Sequence, residues 1–211
     1  MAPTKSIVII TGSTRTPRVG PHVAEFVEQT IQEKASLEGV EVSAVDLAEF
    51  KLPVYDEPAV PAMIPEPDKY THEHSRRWAQ EIARHDGYVL VSPEYNYGMP
   101  GGVKNAIDYL FHPWKGKPIA IVTYGLNGGK TSSEQLEHTL SRMGLQVAST
   151  RPQLAFSGGP SGPDTGAAMM TGDLGKVSLE DWTQNSVGDI LKAFDQVREA
   201  VLSPPAEVAS K

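Results

Sequence analysis

The chain has 211 residues, 39% of them hydrophobic and 21% charged, with a formal net charge of −7 and no cysteine. That length suits one domain with a sizeable core. The missing cysteines exclude disulfides, thiolate metal sites and a cysteine nucleophile, the acidic balance argues against nonspecific nucleic-acid binding, and no stretch approaches the roughly 18 apolar residues of a membrane span.

The opening MAPTKSIVIITG runs straight into an apolar segment without the layout of a signal peptide, so a cytoplasmic setting is expected. Residues 6–11 (SIVIIT) form a continuous β-branched run bounded by Gly12, the pattern of a strand covered on both faces. Val23, Val27, Ile31 and Ala35 recur every four residues and predict a helix with one apolar stripe, running to about Leu37 and stopped by Gly39. Residues 40–47 (VEVSAVDL) alternate as a second strand. Residues 50–70, with Pro53, Pro58, Pro61, Pro65 and Pro67, read as a surface loop.

Residues 71–85 have a polar helical pattern with Trp78 and Ile82 inward, and 87–92 (GYVLVS) read as a third strand. A helix over 102–111 puts Val103, Ala106, Ile107 and Leu110 on one side. A fourth strand follows at 118–123 (PIAIVT), a helix at 132–143, and a fifth, less regular strand at 146–156. Residues 157–176 are glycine-rich, carry two prolines and lack periodicity, which predicts a flexible loop or lid. Val187, Ile190, Leu191, Phe194, Val197 and Val201 make a strong final helix, and the last residues, 204–211, read as a disordered tail after a single domain over 1–203.

Five alternations of strand and helix imply an α/β fold, a parallel sheet with helices on both faces. Ligands of such sheets bind beyond the carboxyl ends of the strands, at a topological switch point. The loop after the first strand, residues 11–20 (TGSTRTPRVG), gathers hydroxyls, Arg15 and Arg18 at a helix start. Backbone N–H groups and guanidinium groups there suit an anion, and a terminal phosphate better than a pyrophosphate, because the dinucleotide fingerprint G-x-G-x-x-G is absent. The alternative is a plain turn with solvated arginines. The third loop, residues 92–102 (SPEYNYGMPGG), can frame a flat conjugated ring with its tyrosines and exposed backbone, or be a proline-stiffened turn. In the fourth loop, Gly125 leaves three residues before Gly129-Lys130-Thr131. A P-loop needs four, so nucleotide hydrolysis is disfavoured.

Together these loops resemble the NADPH-dependent FMN reductase family of flavodoxin-like quinone, azo and flavin reductases. The matching residues are Gly12-Ser13-Thr14-Arg15, Pro93-Glu94-Tyr95-Asn96 followed by Lys104-Asn105-Ala106-Ile107-Asp108, and Tyr124-Gly125 with Gly128-Gly129. Arg18-Val19 looks most like the fungal, yeast-type branch. The resemblance implies a flavodoxin-like three-layer sandwich with a five-stranded parallel sheet in the order 2-1-3-4-5. It implies an FMN phosphate held by Ser13, Arg15, Arg18 and the amides near Val19 and Gly20. Pro93, Glu94, Tyr95, Asn96 and Tyr97 would line the isoalloxazine, and Tyr124, Gly125, Leu126 and Asn127 would close its pyrimidine side. No catalytic side chain is implied, because the flavin carries the chemistry: hydride from NADPH, or NADH, to flavin N5 and on to a small acceptor. A quinone is the first choice, with free flavin, an azo compound or a metal oxyanion as others, and a homodimer or tetramer is the implied assembly. A flavin-binding redox sensor or partner-binding module, with turnover incidental, is the rival reading. The chain departs from the family at Thr16-Pro17-Arg18, where a serine or asparagine is usual, and its 157–176 segment is longer than the resemblance implies.

The remaining candidates read blandly. His72 and His74 near a helix start lack further metal ligands and are expected on a solvated face. His112 beside Trp114 reads as packing. Ser13, Asp46 and His138 lack the G-x-S-x-G elbow of a hydrolase. Met169-Met170 could make an apolar contact with substrate or neighbour.

Overall fold

Side chains alternate across a strand, so a run such as SIVIIT must find an apolar layer on each side. In the computed structural model, which describes residues 4–203, it does. Ile7 and Ile9 of strand β1 (Lys5–Thr11) enter one core layer and Val8 and Ile10 the other, none more than 2% exposed. Strands β3 (Gly87–Pro93) and β4 (Pro118–Gly125) repeat the pattern, and β2 (Val40–Asp46) forms the edge. The parallel order β2-β1-β3-β4-β5 is the flavodoxin-like one.

Helices α1 (Gly20–Lys34) and α7 (Val187–Leu202) cover one face through Val23, Val27, Ile31, Ile190, Phe194 and Val197. Helices α2 (Glu73–Ala83), α3 (Gly101–Asp108) and α4 (Lys130–Arg142) cover the other through Trp78, Ile82, Val103, Ile107, Leu136 and Leu140. Trp78, 1% exposed, also donates to the Ala106 carbonyl at 2.9 Å, tying α2 to α3. Truncating it to alanine costs about 3–5 kcal/mol on the scale of large-to-small core changes.

Four expectations need correction. The fifth strand is two short ones, β5 (Gln146–Val147) and β6 (Gln153–Ala155), both parallel to β4, so the sheet has 6 strands. Pro152, which has no N–H for a ladder, precedes β6, and its carbonyl accepts from Thr123 N at 2.9 Å. The glycine-rich 157–176 segment is structured: a short turn at Gly159–Ser161, helix α5 (Pro163–Met170), then the start of α6 (Lys176–Asn185). Proline in the first turn of α5 and Asp164 behind it suit a helix start. Buried Asp164 accepts the Ser178 amide at 2.6 Å, so the segment is fastened to α6.

The proline-rich stretch is more than a surface loop, since Glu57, Ile64 and Tyr70 are buried in it. Glu57 accepts the amides of Thr71 and His72 at 2.8 and 2.9 Å and thereby caps α2. His74 is not simply solvated. Its Nε2 lies 3.0 Å from Asp56, which also accepts from the Tyr109 hydroxyl, so the histidine pins the loop to α2 and α3. The tail at 204–211 lies outside the described residues. No helix among the described residues is long and apolar enough to cross a membrane.

Candidate functional site

The loops after β1, β3 and β4 meet at the carboxyl edge of the sheet around an open cavity of about 480 Å³. From the first loop, Arg15, Arg18 and Val19 line it; from the third, Pro93, Glu94, Tyr95, Asn96 and Tyr97; from the fourth, Tyr124, Gly125, Leu126 and Asn127. Ser13 and Gly20 do not line it and lie behind it, at the start of α1.

That start leaves polar groups without partners. Helix α1 has no side-chain cap and no acidic residue in its first turn, leaving its N-terminal donors to other partners. Ser13 is fully buried, and its hydroxyl, close to that of Tyr124, makes no hydrogen bond of good geometry. A Cβ on Gly20 would collide with Ser13 Oγ and come within 2.6 Å of the Tyr124 hydroxyl, so only glycine leaves this corner open. Burial pushes the Tyr124 hydroxyl above its usual range and keeps it a neutral donor.

The two arginines play different parts. Arg15 lays its guanidinium over the Tyr95 ring, 3.5 Å from the centroid, and has no acidic partner among the described residues. Arg18 is committed: Nη1 donates to Asp46 Oδ1 and to the Ser13 carbonyl at 2.8 Å, and Nη2 to Asp46 Oδ2 at 2.5 Å. The Asp46 hydrogen bond raises its pKa further. Arg18 therefore braces the first loop from the end of β2, and Asp46, which the sequence offered only as an unsupported triad member, is its partner.

The third loop turns on Tyr95 and Gly98, which exchange both backbone hydrogen bonds at 3.0 and 3.1 Å. Asn96 and Tyr97 between them have φ of 48° and 61°, the mirror-image two-residue turn that glycine or asparagine normally fills. Tyr97 is thus held in a strained conformation, 81% exposed, at the cavity mouth. Glu94 lends the cavity its backbone and stem, whereas its carboxylate accepts the Thr131 and Ser132 amides at 2.8 and 3.1 Å. It caps α4, whose own N-cap, Gly129, has no side chain to do so. In the fourth loop Thr123 Oγ1 donates to the Gly128 carbonyl at 2.8 Å, and a Cβ on Gly129 would come within 2.8 Å of Thr123 Cβ. The loop is a folded turn, with none of the spacing of a phosphate cradle.

Sequence reasoning missed Pro17, Pro160 and Ala168 of the lining, whereas Met169, read as an apolar contact for substrate or neighbour, does line it. Ala168 and Met169 belong to α5. The apolar pair Met169-Met170 was the one signal of that wall in an otherwise polar, glycine-rich segment.

Comparison with known proteins identifies the family. The model of the NADPH-dependent FMN reductase family matches residues 6–160. The chain is 42% identical over 200 residues to an NAD(P)H-dependent FMN reductase of a Nectria species, covering 94% of this chain and 98% of that one. It is 38% identical over 143 residues to an NAD(P)H-dependent FMN reductase of Saccharomyces cerevisiae, 66% of this chain and 75% of that one. Among solved structures it is similar in fold to a flavoenzyme NAD(P)H:(acceptor) oxidoreductase from Paracoccus denitrificans, with a TM-score of 0.62 and 19% identity over 91% of this chain and 98% of that one.

Proposed function

Because this chain belongs to the NADPH-dependent FMN reductase family, we propose that its cavity holds FMN and that the enzyme passes a hydride from NAD(P)H to a small oxidised acceptor, a quinone first. The observation that carries the site is Ser13: a buried hydroxyl with no hydrogen bond of good geometry, beside a glycine that keeps the corner open and a helix start without a cap. A terminal phosphate supplies acceptors for all of these donors. Arg15 would add the charge-assisted bond, and Arg18, held by Asp46 and Ser13, would keep the loop in shape. Tyr95, Asn96 and Tyr97 on one side and Tyr124 to Asn127 on the other would enclose the ring system and orient it toward the open mouth.

FMN, when bound, supplies the two-electron hydride chemistry, so no side-chain nucleophile is required. The protein's work is to bind, orient and partly shield. The ionisable groups of the lining have structural parts: Glu94 caps α4, and Tyr95 and Tyr124 are pushed by burial toward their neutral forms. A homodimer or tetramer is part of the proposal, and the exposed Val54 and Met63 offer apolar surface for contact between copies. A cytoplasmic setting completes the proposal, and a molar-mass measurement in solution tests the assembly.

The test is an absorbance spectrum of the purified protein, reconstituted with FMN, before and after anaerobic NADPH and then a quinone. Flavin bands that bleach with NADPH and return with the quinone are expected. Flavin that binds and stays oxidised would favour a sensor, and protein that takes up no flavin would overturn the site.

A further inference from the structure

Helix α5 lies beyond residue 160, where the family match ends, yet it walls the cavity with Ala168 and Met169. It is held there firmly. Ala168, 7% exposed, packs in the core layer that contains Val19 and Tyr124. Thr165 Oγ1 donates to the Gly159 carbonyl at 2.7 Å, and Asp164 takes the Ser178 amide. Just after the helix, Gly172 (φ +80°) presses so closely on the first loop that a Cβ would come within 2.8 Å of Arg18 N. The chain thus fixes a methionine, 70% exposed, on the cavity rim.

Two other large apolar side chains share that rim, Tyr97 at 81% and Leu126 at 42% exposure. The charged residues of the lining face other tasks: Arg18 is bound to Asp46 and Glu94 to α4, and Arg15, laid over Tyr95, would be taken by the FMN phosphate of the proposed function. The mouth therefore offers three apolar groups from three elements and no free charge. Apolar surface of that kind rewards a flat, uncharged guest and leaves an anionic one without a partner for its desolvated charge.

We propose that Met169, with Tyr97 and Leu126, is a specificity-determining residue that restricts the acceptor to planar, uncharged quinones. The inference rests on the FMN reductase reading. In the reaction it implies, the neutral quinone gains two electrons and two protons, one hydride from NAD(P)H and one proton from water, and leaves as the hydroquinone with NAD(P)+.

The test is equilibrium binding to the oxidised, FMN-loaded protein, followed by the flavin spectrum, with 2-methyl-1,4-naphthoquinone and 1,4-naphthoquinone-2-sulfonate as the neutral and anionic probes. The wild type should bind the neutral probe more tightly. Met169→Lys should shift the preference toward the sulfonate by about fivefold and Met169→Glu away from it by a similar factor, the scale of an exposed charge pair. Met170→Lys and Met170→Glu are the controls, because Met170 is 79% exposed but does not line the cavity. They should leave the preference where it is, and thermal melts confirm that all four variants fold. Equal binding of both probes by the wild type, or Met169 variants that match the Met170 controls, overturns the proposal while leaving the enzyme reading intact. Protein that takes up no FMN overturns the enzyme reading itself, and the proposal with it.

Discussion

Arg18 and Asp46 clasp each other through two parallel hydrogen bonds, at 2.8 and 2.5 Å, across the ends of α1's leading loop and β2. The same guanidinium holds the Ser13 carbonyl, and Asp46 Oδ1 also accepts the Ala48 amide at 3.0 Å. The pair is about one-fifth exposed on each side, enough burial for its loss to be felt. Asp46→Asn should destabilise the flavin-free protein by about 1–3 kcal/mol, the scale of hydrogen bonds to charged groups. Saturating FMN should narrow the gap to wild type, since a phosphate offers the released arginine a new counter-charge, and riboflavin should not. Thermal melts with each flavin check this, and equal effects of FMN and riboflavin would contradict it.

Glu57 makes stability depend on pH. Burial opposes its ionisation, but the His72 and Thr71 amides outweigh that and hold the carboxyl below its ordinary value. A lowered folded-state pKa stabilises fully above the unfolded pKa, and that stability is lost as pH falls through the folded value. The loss should therefore set in below about pH 4.3, the unperturbed glutamate value. Glu57→Gln should cost about 1 kcal/mol at pH 7, as loss of a good helix cap does, and the gap to wild type should close toward pH 3. Melting curves across that range decide it; a gap constant with pH would show that the carboxylate charge is irrelevant.

The sequence showed the sheet and the cavity because both rest on local patterns. Short, β-branched apolar runs bounded by turn residues read as strands covered twice, and the loops following them inherit the carboxyl edge. It could not show where long side chains go. Glu94 and Arg18 look like ligand-binding groups in a linear reading, yet Glu94 meets α4 and Arg18 meets Asp46, partners 37 and 28 residues away. Nor did periodicity reveal α5. At eight residues, with Gly166 inside it, that helix owes its existence to Asp164 and Ala168 packing on elements elsewhere in the chain, and such tertiary support leaves no local signature.

Tyr97 sits at φ 61°, where a β-carbon is unfavourable. It gains little from burial in return, being 81% exposed. Tyr97→Gly should therefore leave stability within about 1 kcal/mol of wild type or raise it, because relief of the left-handed strain offsets the extra freedom of glycine in the unfolded chain. Binding of a neutral quinone to the FMN-loaded protein should weaken. A substantial drop in melting temperature would mean that the ring supports the fold, and unchanged quinone binding that it does not face the acceptor.

Ser13 sets stability against binding in the same way, and more sharply. Its hydroxyl is fully buried and makes no hydrogen bond of good geometry in the flavin-free protein, a cost of about 1–3 kcal/mol for a desolvated polar group. Ser13→Ala removes that group without opening a large cavity, so the flavin-free variant should be as stable as wild type or more so. If the hydroxyl is there for a phosphate, the same change should weaken FMN by about tenfold or more, the value of one hydrogen bond to a charged group, and leave riboflavin, which has no phosphate, unaffected. Urea unfolding and flavin titrations on one preparation measure both halves. A variant that loses stability and binds FMN normally would mean the hydroxyl serves the fold; gain of stability with selective loss of FMN is the outcome the corner between Gly20 and Tyr124 dictates.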